Sequence, residues 1–366
     1  MPEYFIGIMS GTSVDGIDGV LAAVDDCSIE VLGHVSLPIP ESDHTEALAL
    51  AGQTTDSLNR AFRLANHLSK HYAACAGELL GAFDAPVTAI GCHGQTLRHF
   101  PDDPCPISIQ MVNGAALALA TGIPTITDFR SADLALGGQG APLAPSFHNA
   151  VFRSSQCNRV ILNLGGIANI TCLPAAAEES VTGFDTGPAN ALMDLNAQQH
   201  LGQRHDDQGH WGQSGSLNDA LLEKLRSDGY FALPAPKSTG REYFSGAWLE
   251  RKLQGFEGIS PADLQRTLVE LTATTIADAV NRLGVKADEL FVCGGGCHNR
   301  FLMERIDANL PGITVDITES IGLPPMQVEA CTFAWLAYRR IKGLPGNLPS
   351  VTGASREAVL GALYLP

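Results

Sequence analysis

Short apolar runs alternate along the chain with longer stretches in which apolar residues recur at helical spacing. That pattern predicts an α/β fold. In YFIGIMSGTSVDGIDGVLAAV (4–24), one apolar run meets Ser10-Gly11-Thr12-Ser13 and Asp15-Gly16-Ile17-Asp18-Gly19, and a second run follows. This reads as two strands joined by a glycine turn. Residues 56–82 predict a helix through Leu58, Phe62, Ala65, Leu68, Tyr72, Cys75 and Leu79. Val87–Ile90 reads as a strand running into Gly91-Cys92-His93-Gly94-Gln95, 110–121 as a helix, and 124–127 as a strand ending at Asp128, Phe129 and Arg130. A helix is predicted near 143–152. RVILNLGGIANITCL (159–173) then repeats the opening design, with Gly165-Gly166 at its turn. GFDTGPAN (183–190) leads into a helix. Ser260 as N-cap, Pro261 at the first helical position and Asp263 mark a strong helix over 260–283. A strand over 289–293 ends in Gly294-Gly295-Gly296, a helix spans 298–310, and a last helix over 326–342 carries Glu329 near its start. The repeated strand–glycine turn–strand unit suggests an internal duplication, two similar α/β halves facing each other across a cleft.

Composition narrows the function. With 45% hydrophobic and 17% charged residues the 366-residue chain can bury a real core. No run reaches the roughly 18 uncharged apolar residues of a membrane span. No secretory signal is visible at the N-terminus, so the expectation is a soluble cytoplasmic protein. A net charge of −16 argues against nucleic-acid binding and means that any phosphate must be held locally. The nine cysteines are odd in number, scattered, and free of C-x-x-C pairs. Cys293 and Cys297 beside His298 could suggest a metal; free thiols in a reducing compartment are the plainer reading.

The glycine turns fit neither a Walker A loop nor a dinucleotide fingerprint, because a strand rather than a helix follows them. They can still form anion nests from consecutive N–H groups. Thr12 and Ser13 add hydroxyl donors. Asp15 and Asp18 make sense near a bound cation, so a metal–nucleotide complex suits the site better than free phosphate. An ordinary hairpin would also use Gly and Asp. Asp185 is either a helix cap or a general base beside a phosphate. His93, Gln95, Arg98 and His99 form a polar set after a strand, where α/β ligand sites lie, or a solvated loop. Asp128 and Arg130 are a salt bridge or a substrate contact. Glu329 is an exposed first-turn residue or a buried carboxylate needing a partner.

The order of these motifs resembles the superfamily of actin, hexokinase and heat-shock chaperones. Within it, MSGTSVDGIDG, GCHGQT, DFRSADLALGGQGAPLAP, NLGGIANIT, GFDTGPAN and GGGCHN resemble the bacterial 1,6-anhydro-N-acetylmuramic acid kinase family, from residue 4 to the C-terminus. The resemblance implies two ribonuclease H-like, actin-like ATPase domains with an ATP-binding cleft between them. The expected first domain is 1–127 plus 348–366, and the second 128–347. It implies an enzyme of peptidoglycan turnover that takes the anhydro sugar, ATP and water to N-acetylmuramic acid 6-phosphate and ADP. Gly11, Thr12, Ser13, Val14, Asp15, Gly16, Ile17 and Asp18 would hold the ATP phosphates and magnesium, with Asp15 or Asp18 on the metal. Gly165 and Gly166 would act from the other domain, and Gly294, Gly295 and Asn299 would line the adenosine side. Asp185 would be the catalytic base, and His93, Gln95, Arg130 and Glu329 would contact the sugar. A homodimer is implied. Many superfamily members carry an aspartate about two residues before the first hairpin glycine, where this chain has Met9. The rival readings are an ordinary sugar kinase of the same superfamily and an ATP-dependent regulatory protein.

Overall fold

The computed structural model describes residues 3–11, 14, 16–51, 57–240 and 242–366. Thirteen strands are found among them. β1 (Glu3–Ser10), β2 (Gly16–Val24) and β3 (Ile29–Pro38) form a meander, followed by β4 (Val87–Cys92). β5 (Gln95–Phe100) and β6 (Ile107–Met111) make a separate antiparallel pair, and β7 (Thr125–Thr127) comes next. The second half holds β8 (Arg159–Leu164), β9 (Ile167–Leu173), β10 (Thr182–Pro188), β11 (Glu289–Cys293) and β12 (Thr314–Ile317). The last strand is β13 (Ala362–Tyr364).

Two compact units result, residues 1–151 with 327–366, and residues 152–326. In the first, the sheet runs β13-β7-β4-β1-β2-β3. β2 is antiparallel to β1 and β3, while β4 is parallel to β1 and β7. In the second, the order β10-β9-β8-β11-β12 repeats that scheme: β9 is antiparallel to both neighbours, and β8, β11 and β12 are parallel. Each unit thus has the topology of a ribonuclease H-like, actin-like ATPase domain, and the chain is α/β.

The unit boundaries differ from the expected 1–127 plus 348–366 and 128–347. Helix Val328–Lys342 lies on the first sheet. A Cβ added to Gly7 of β1 would meet Ala330 O at 1.9 Å, and one added to Gly91 of β4 would meet Phe333 O at 2.1 Å. Helix Ala144–Phe152 joins the same unit, Phe147 packing against Trp335 at 6.1 Å between ring centroids. On the sheet's other face, helix Leu58–Gly81 buries Leu64, Leu68, Tyr72, Cys75 and Leu79. In the second unit, helix Pro261–Asn281 buries most of its length against the core, capped by Ser260 as expected.

Some expected elements shift. Gln110 and Met111 end β6, and the helix begins only at Gly114, capped by the Asn113 side chain on Ala116 N–H at 3.0 Å. Gly295–His298 is a 3₁₀ turn, so the following helix is Arg300–Asn309. Most of GFDTGPAN is strand β10, with the helix starting at Asn190. A proline fits there because β10 is an edge strand.

Candidate active site

In the second unit the two glycine clusters meet. At the β8–β9 turn, the carbonyls of Gly165 and Gly166 accept backbone N–H groups from Ala189, Asn190 and Ala191, the start of helix Asn190–Leu201. The Asn190 side chain also donates to Leu164 O and Gly165 O, at 3.1 and 2.8 Å. Among the described residues, neither glycine's own N–H takes part in a backbone bond, so both are open to an acceptor. Gly294, at φ 81°, approaches so closely that an added Cβ would meet Asn163 Oδ1 at 2.4 Å, and one on Gly296 would meet Leu164 Cβ at 2.6 Å. A Cβ on Gly295 would meet nothing within 4 Å. The side-chain oxygen of Asn299 is already engaged in the fold, capping helix Arg300–Asn309 through Leu302 N–H at 3.0 Å.

Asp185 lies within β10, opposite Asn169 of β9, so it is no helix cap. A segment distant in sequence secures it. Asp185 N–H donates to Lys237 O at 3.1 Å, Thr239 N–H donates to Asp185 Oδ2 at 2.9 Å, and Tyr230 O–H donates to the Asp185 carbonyl at 2.7 Å. Burial pushes the carboxyl up to about 6; the Thr239 N–H opposes the rise, Glu242 adds to it, and Lys237 opposes it. A carboxylate with that value is ionised at neutral pH yet basic enough to take a proton. Thr239, Lys237, Tyr230 and Asn190 were not anticipated. Only Asn190, inside GFDTGPAN, stood in a motif already singled out.

In the first unit, His93 and Gln95 are buried, at 3% and 2% exposure, so they do not form a solvated loop. Arg130 donates through two nitrogens to His93 Nε2, at 3.1 and 2.8 Å, and through a third to Gly140 O at 2.7 Å. A guanidinium only donates, so His93 Nε2 is an acceptor and its proton sits on Nδ1. Burial, then the Arg130 charge, holds His93 well below the usual histidine range. Its Nδ1 and the Oε1 of Gln95 are buried without partners. Behind Arg130, the fully buried Asp133 accepts from Gly140 N–H, Asn347 Nδ2 and Thr352 Oγ1 at 2.8, 2.7 and 2.7 Å. Burial lowers Arg130 to about 10, opposed by Glu329 and Asp133. Glu329 is exposed on the first turn of helix Val328–Lys342, one turn before Phe333, whose ring lies 4.6 Å from that of His93. Of the four residues expected at the sugar, His93 and Arg130 are in direct contact and Glu329 acts on Arg130 through its charge, while Gln95 lies two residues beyond His93 with its side-chain nitrogen 3.5 Å from Thr96 O. The rest of the polar set disperses. Arg98 donates to Leu50 O at 2.7 Å, His99 pairs with Ser108 Oγ at 3.0 Å, and Asp128 accepts from Ser131 rather than Arg130.

Of the first glycine hairpin, Thr12, Ser13 and Asp15 lie outside the described residues. Gly11 O accepts Val14 N–H at 3.0 Å, and Val14 sits at φ 59°. That conformation is an outlier for a β-branched residue, of the kind that clusters at functional sites. The side chains of Val14 and Ile17 belong to the core, leaving only their backbone groups for a ligand. Gly16 opens β2 opposite Pro38. Asp18 stands directly across from Met9 in the β1–β2 register, so the two side chains share a face. Its carboxylate is half-buried and 3.6 Å from His34 Nε2. Among the described residues no three His, Cys, Asp or Glu side chains form a cage for a metal. Magnesium, which keeps several waters and binds through one or two carboxylates plus phosphate, needs no such cage. No helix among them is long and apolar enough to cross a membrane.

A family model described as anhydro-N-acetylmuramic acid kinase matches residues 3–366. Curated relatives of the same name agree along their whole length. The chain is 47% identical over 364 residues to one from Nitrosomonas europaea, covering 99% of each. It is 48% identical over 364 residues to one from Nitrosospira multiformis, covering 99% of this chain and 98% of the relative. It is 47% identical over 372 residues to one from Saccharophagus degradans, covering 100% of both.

Proposed function

The chain belongs to the anhydro-N-acetylmuramic acid kinase family, and from that premise we propose that it opens 1,6-anhydro-N-acetylmuramic acid with water and phosphorylates it with ATP. The products are N-acetylmuramic acid 6-phosphate and ADP, and the reaction serves peptidoglycan recycling in the cytoplasm. The observation that carries this reading is Asp185, a carboxylate raised to about 6 with one oxygen pinned by Thr239 N–H.

The substrate dictates an unusual step. Its 6-oxygen bridges to the anomeric carbon, so there is no 6-hydroxyl to deprotonate. Asp185 takes a proton from water, and the water oxygen forms a bond to the anomeric carbon. The bond from that carbon to the 6-oxygen breaks, and its electron pair attacks the γ-phosphorus. The bond from γ-phosphorus to the bridging oxygen breaks, and ADP leaves. One carboxylate suffices, because the γ-phosphorus captures the oxygen that a glycosidase's general acid would protonate.

The glycine turns would hold the phosphates: Gly11 and Gly16, with the hydroxyls of Thr12 and Ser13, in the first hairpin, and the backbone N–H groups of Gly165 and Gly166 in the second. Gly294, Gly295 and Asn299 serve the adenosine. Asp18 would hold magnesium, because it stands across from Met9, where many superfamily members carry the aspartate; Asp15 is the other candidate. Bound magnesium neutralises charge on the β- and γ-phosphates. His93 Nδ1–H and Gln95 Oε1 offer one donor and one acceptor to the polar arms of the sugar, and Arg130 and Glu329 add charge of both signs. We read the assembly as a homodimer.

Mass spectrometry after incubation with magnesium-ATP and the anhydro sugar tests the reading. The expected product gains one phosphate and one water. A gain of phosphate alone would mean an ordinary sugar kinase. ATP turnover that depends on an added protein instead of a sugar would mean a regulatory ATPase.

A further inference from the structure

The bonds that Tyr230, Lys237 and Thr239 make to Asp185 all come from one segment, residues 230–239. The same segment walls a cavity of about 390 Å³ in the second unit, within the roughly 300–1,000 Å³ of small-molecule sites. Phe231 and Leu233 line it from that segment, Phe184 from β10, and Ala279 from helix Pro261–Asn281. None of its lining residues belongs to the glycine turns, so it is separate from the candidate phosphate site. Two cationic residues also line it, Lys237 and Arg282, and neither is buried. Arg282 donates through Nη1 to Phe231 O at 3.0 Å, and Lys237 through Nζ to Tyr230 O at 3.2 Å. Each keeps further donors without a partner among the described residues. Burial and then the Arg282 charge lower Lys237 from the ordinary lysine value, opposed by Asp185, so the two cations feel each other. Asp278, the acidic residue of the lining, is already paired with Arg226 at 2.6 Å. The C-terminal end of the helix adds about half a unit of negative charge, less than two cations supply.

We propose that this cavity binds a small organic anion, its carboxylate on Lys237 and Arg282 and its apolar body against Phe184, Phe231 and Leu233, and that its occupancy is coupled to the charge on Asp185. In a chain of net charge −16, two cations at an apolar cavity attract an anion that the rest of the molecule repels. A bare ion leaves the apolar walls unused, and a neutral apolar molecule leaves the cations unpaired. The coupling runs through Lys237, which lines the cavity while its carbonyl accepts Asp185 N–H at 3.1 Å. The Lys237 ammonium and the Asp185 carboxylate act on each other through charge. An ionised Asp185 and a bound anion therefore draw on the same ammonium, and each weakens the other by an equal factor. Binding is read without turnover, so this site stands apart from the reaction proposed for Asp185.

Titration calorimetry with phenylbutyrate at pH 7.5 tests this, with phenylbutanol for the apolar body alone and acetate for the charge alone. Expected for the wild type is a Kd of about 1 mM or below for phenylbutyrate, with both controls roughly tenfold weaker. Arg282→Gln removes one cation. Leu233→Asp, at a half-exposed position, puts a like charge in the wall. Each is expected to weaken phenylbutyrate binding roughly tenfold. Asp185→Asn removes the competing charge and is expected to tighten it about two- to tenfold. A wild type that binds no phenylbutyrate at about 10 mM overturns the site, as does one that binds phenylbutanol equally well. A Kd unchanged in both Arg282→Gln and Leu233→Asp places the probe elsewhere and overturns it too. An Asp185→Asn variant that binds no more tightly overturns the coupling. A wild type that binds as expected yet leaves the anhydro sugar untouched removes the proposed function and keeps this site.

Discussion

Asp185 is held in its raised state by where its backbone runs, and that has consequences for activity and for stability. Activity needs the carboxylate, so kcat/KM is expected to fall about tenfold per pH unit below about 6. Stability runs the other way. The folded value of about 6 lies above the ordinary 3.8, so the folded protein retains a proton that the unfolded chain has lost. Folding stability therefore falls as pH rises from about 4 to about 6, and the buried charge costs on the order of 2–3 kcal/mol above that. Asp185→Asn is expected to lose most turnover, keep ATP binding, and melt higher than the wild type at pH 7.5. Calorimetry across pH 4 to 8 checks this; an Asn variant that melts lower at pH 7.5 refutes the stability argument. Asp185 was legible as a candidate because it follows the second glycine turn. Its holders were not. Thr239 and Lys237 reach it through main-chain groups, which leave no trace in side-chain type. Asp133 was hidden likewise, since the partners that explain a buried carboxylate, Asn347 and Thr352, stand far along the chain.

At the scale of elements, helix Val328–Lys342 brings Glu329 and Phe333 to the His93–Arg130 pair, and two glycines let it come so close. Alanine at Gly91 would drive a Cβ to 2.1 Å from a backbone oxygen of that helix. Gly91→Ala is expected to destabilise by about 3 kcal/mol. Gly77→Ala, on an exposed turn of helix Leu58–Gly81 with nothing within 4 Å, is expected to stabilise by about 0.5–1 kcal/mol. Paired thermal melts decide it, and a harmless Gly91→Ala would contradict the packing. The hairpins were readable because glycine turns interrupt apolar runs, and the long helices because their apolar positions recur at the right spacing. β10 was not: with two glycines and a proline in seven residues the stretch read as a lead-in to the helix, and only its place at a sheet edge makes them compatible with a strand. β3 carries a legible alternation of half-buried and exposed positions that was passed over. β5 and β6 pair with each other alone; they bury Gln95, Leu97 and Met111 but leave Phe100, Ile107 and Ile109 exposed, so their apolar positions did not mark a buried face.

At the scale of the whole chain, the duplication was visible as a repeated strand–turn–strand phrase, but the point where the chain crosses between units was not, because no linker composition marks it. The first unit is assembled from both ends of the chain. Its last residues complete a sheet through β13 and supply two of the three donors to buried Asp133. A chain stopped after Leu344 would leave that carboxylate with one partner, a loss of about 3–5 kcal/mol. Limited proteolysis of such a truncation is expected to cut within 1–151 first and spare 152–326; uniform resistance would count against it. Translation makes the same arrangement a matter of timing. When residue 326 leaves the ribosome, the second unit has every strand it will ever have. The first, though synthesised earlier, still waits for the helix that rests on Gly7 and Gly91. The half of the enzyme that is made first is the half that must finish last, and until then its uncovered sheet face is a surface for chaperones to guard.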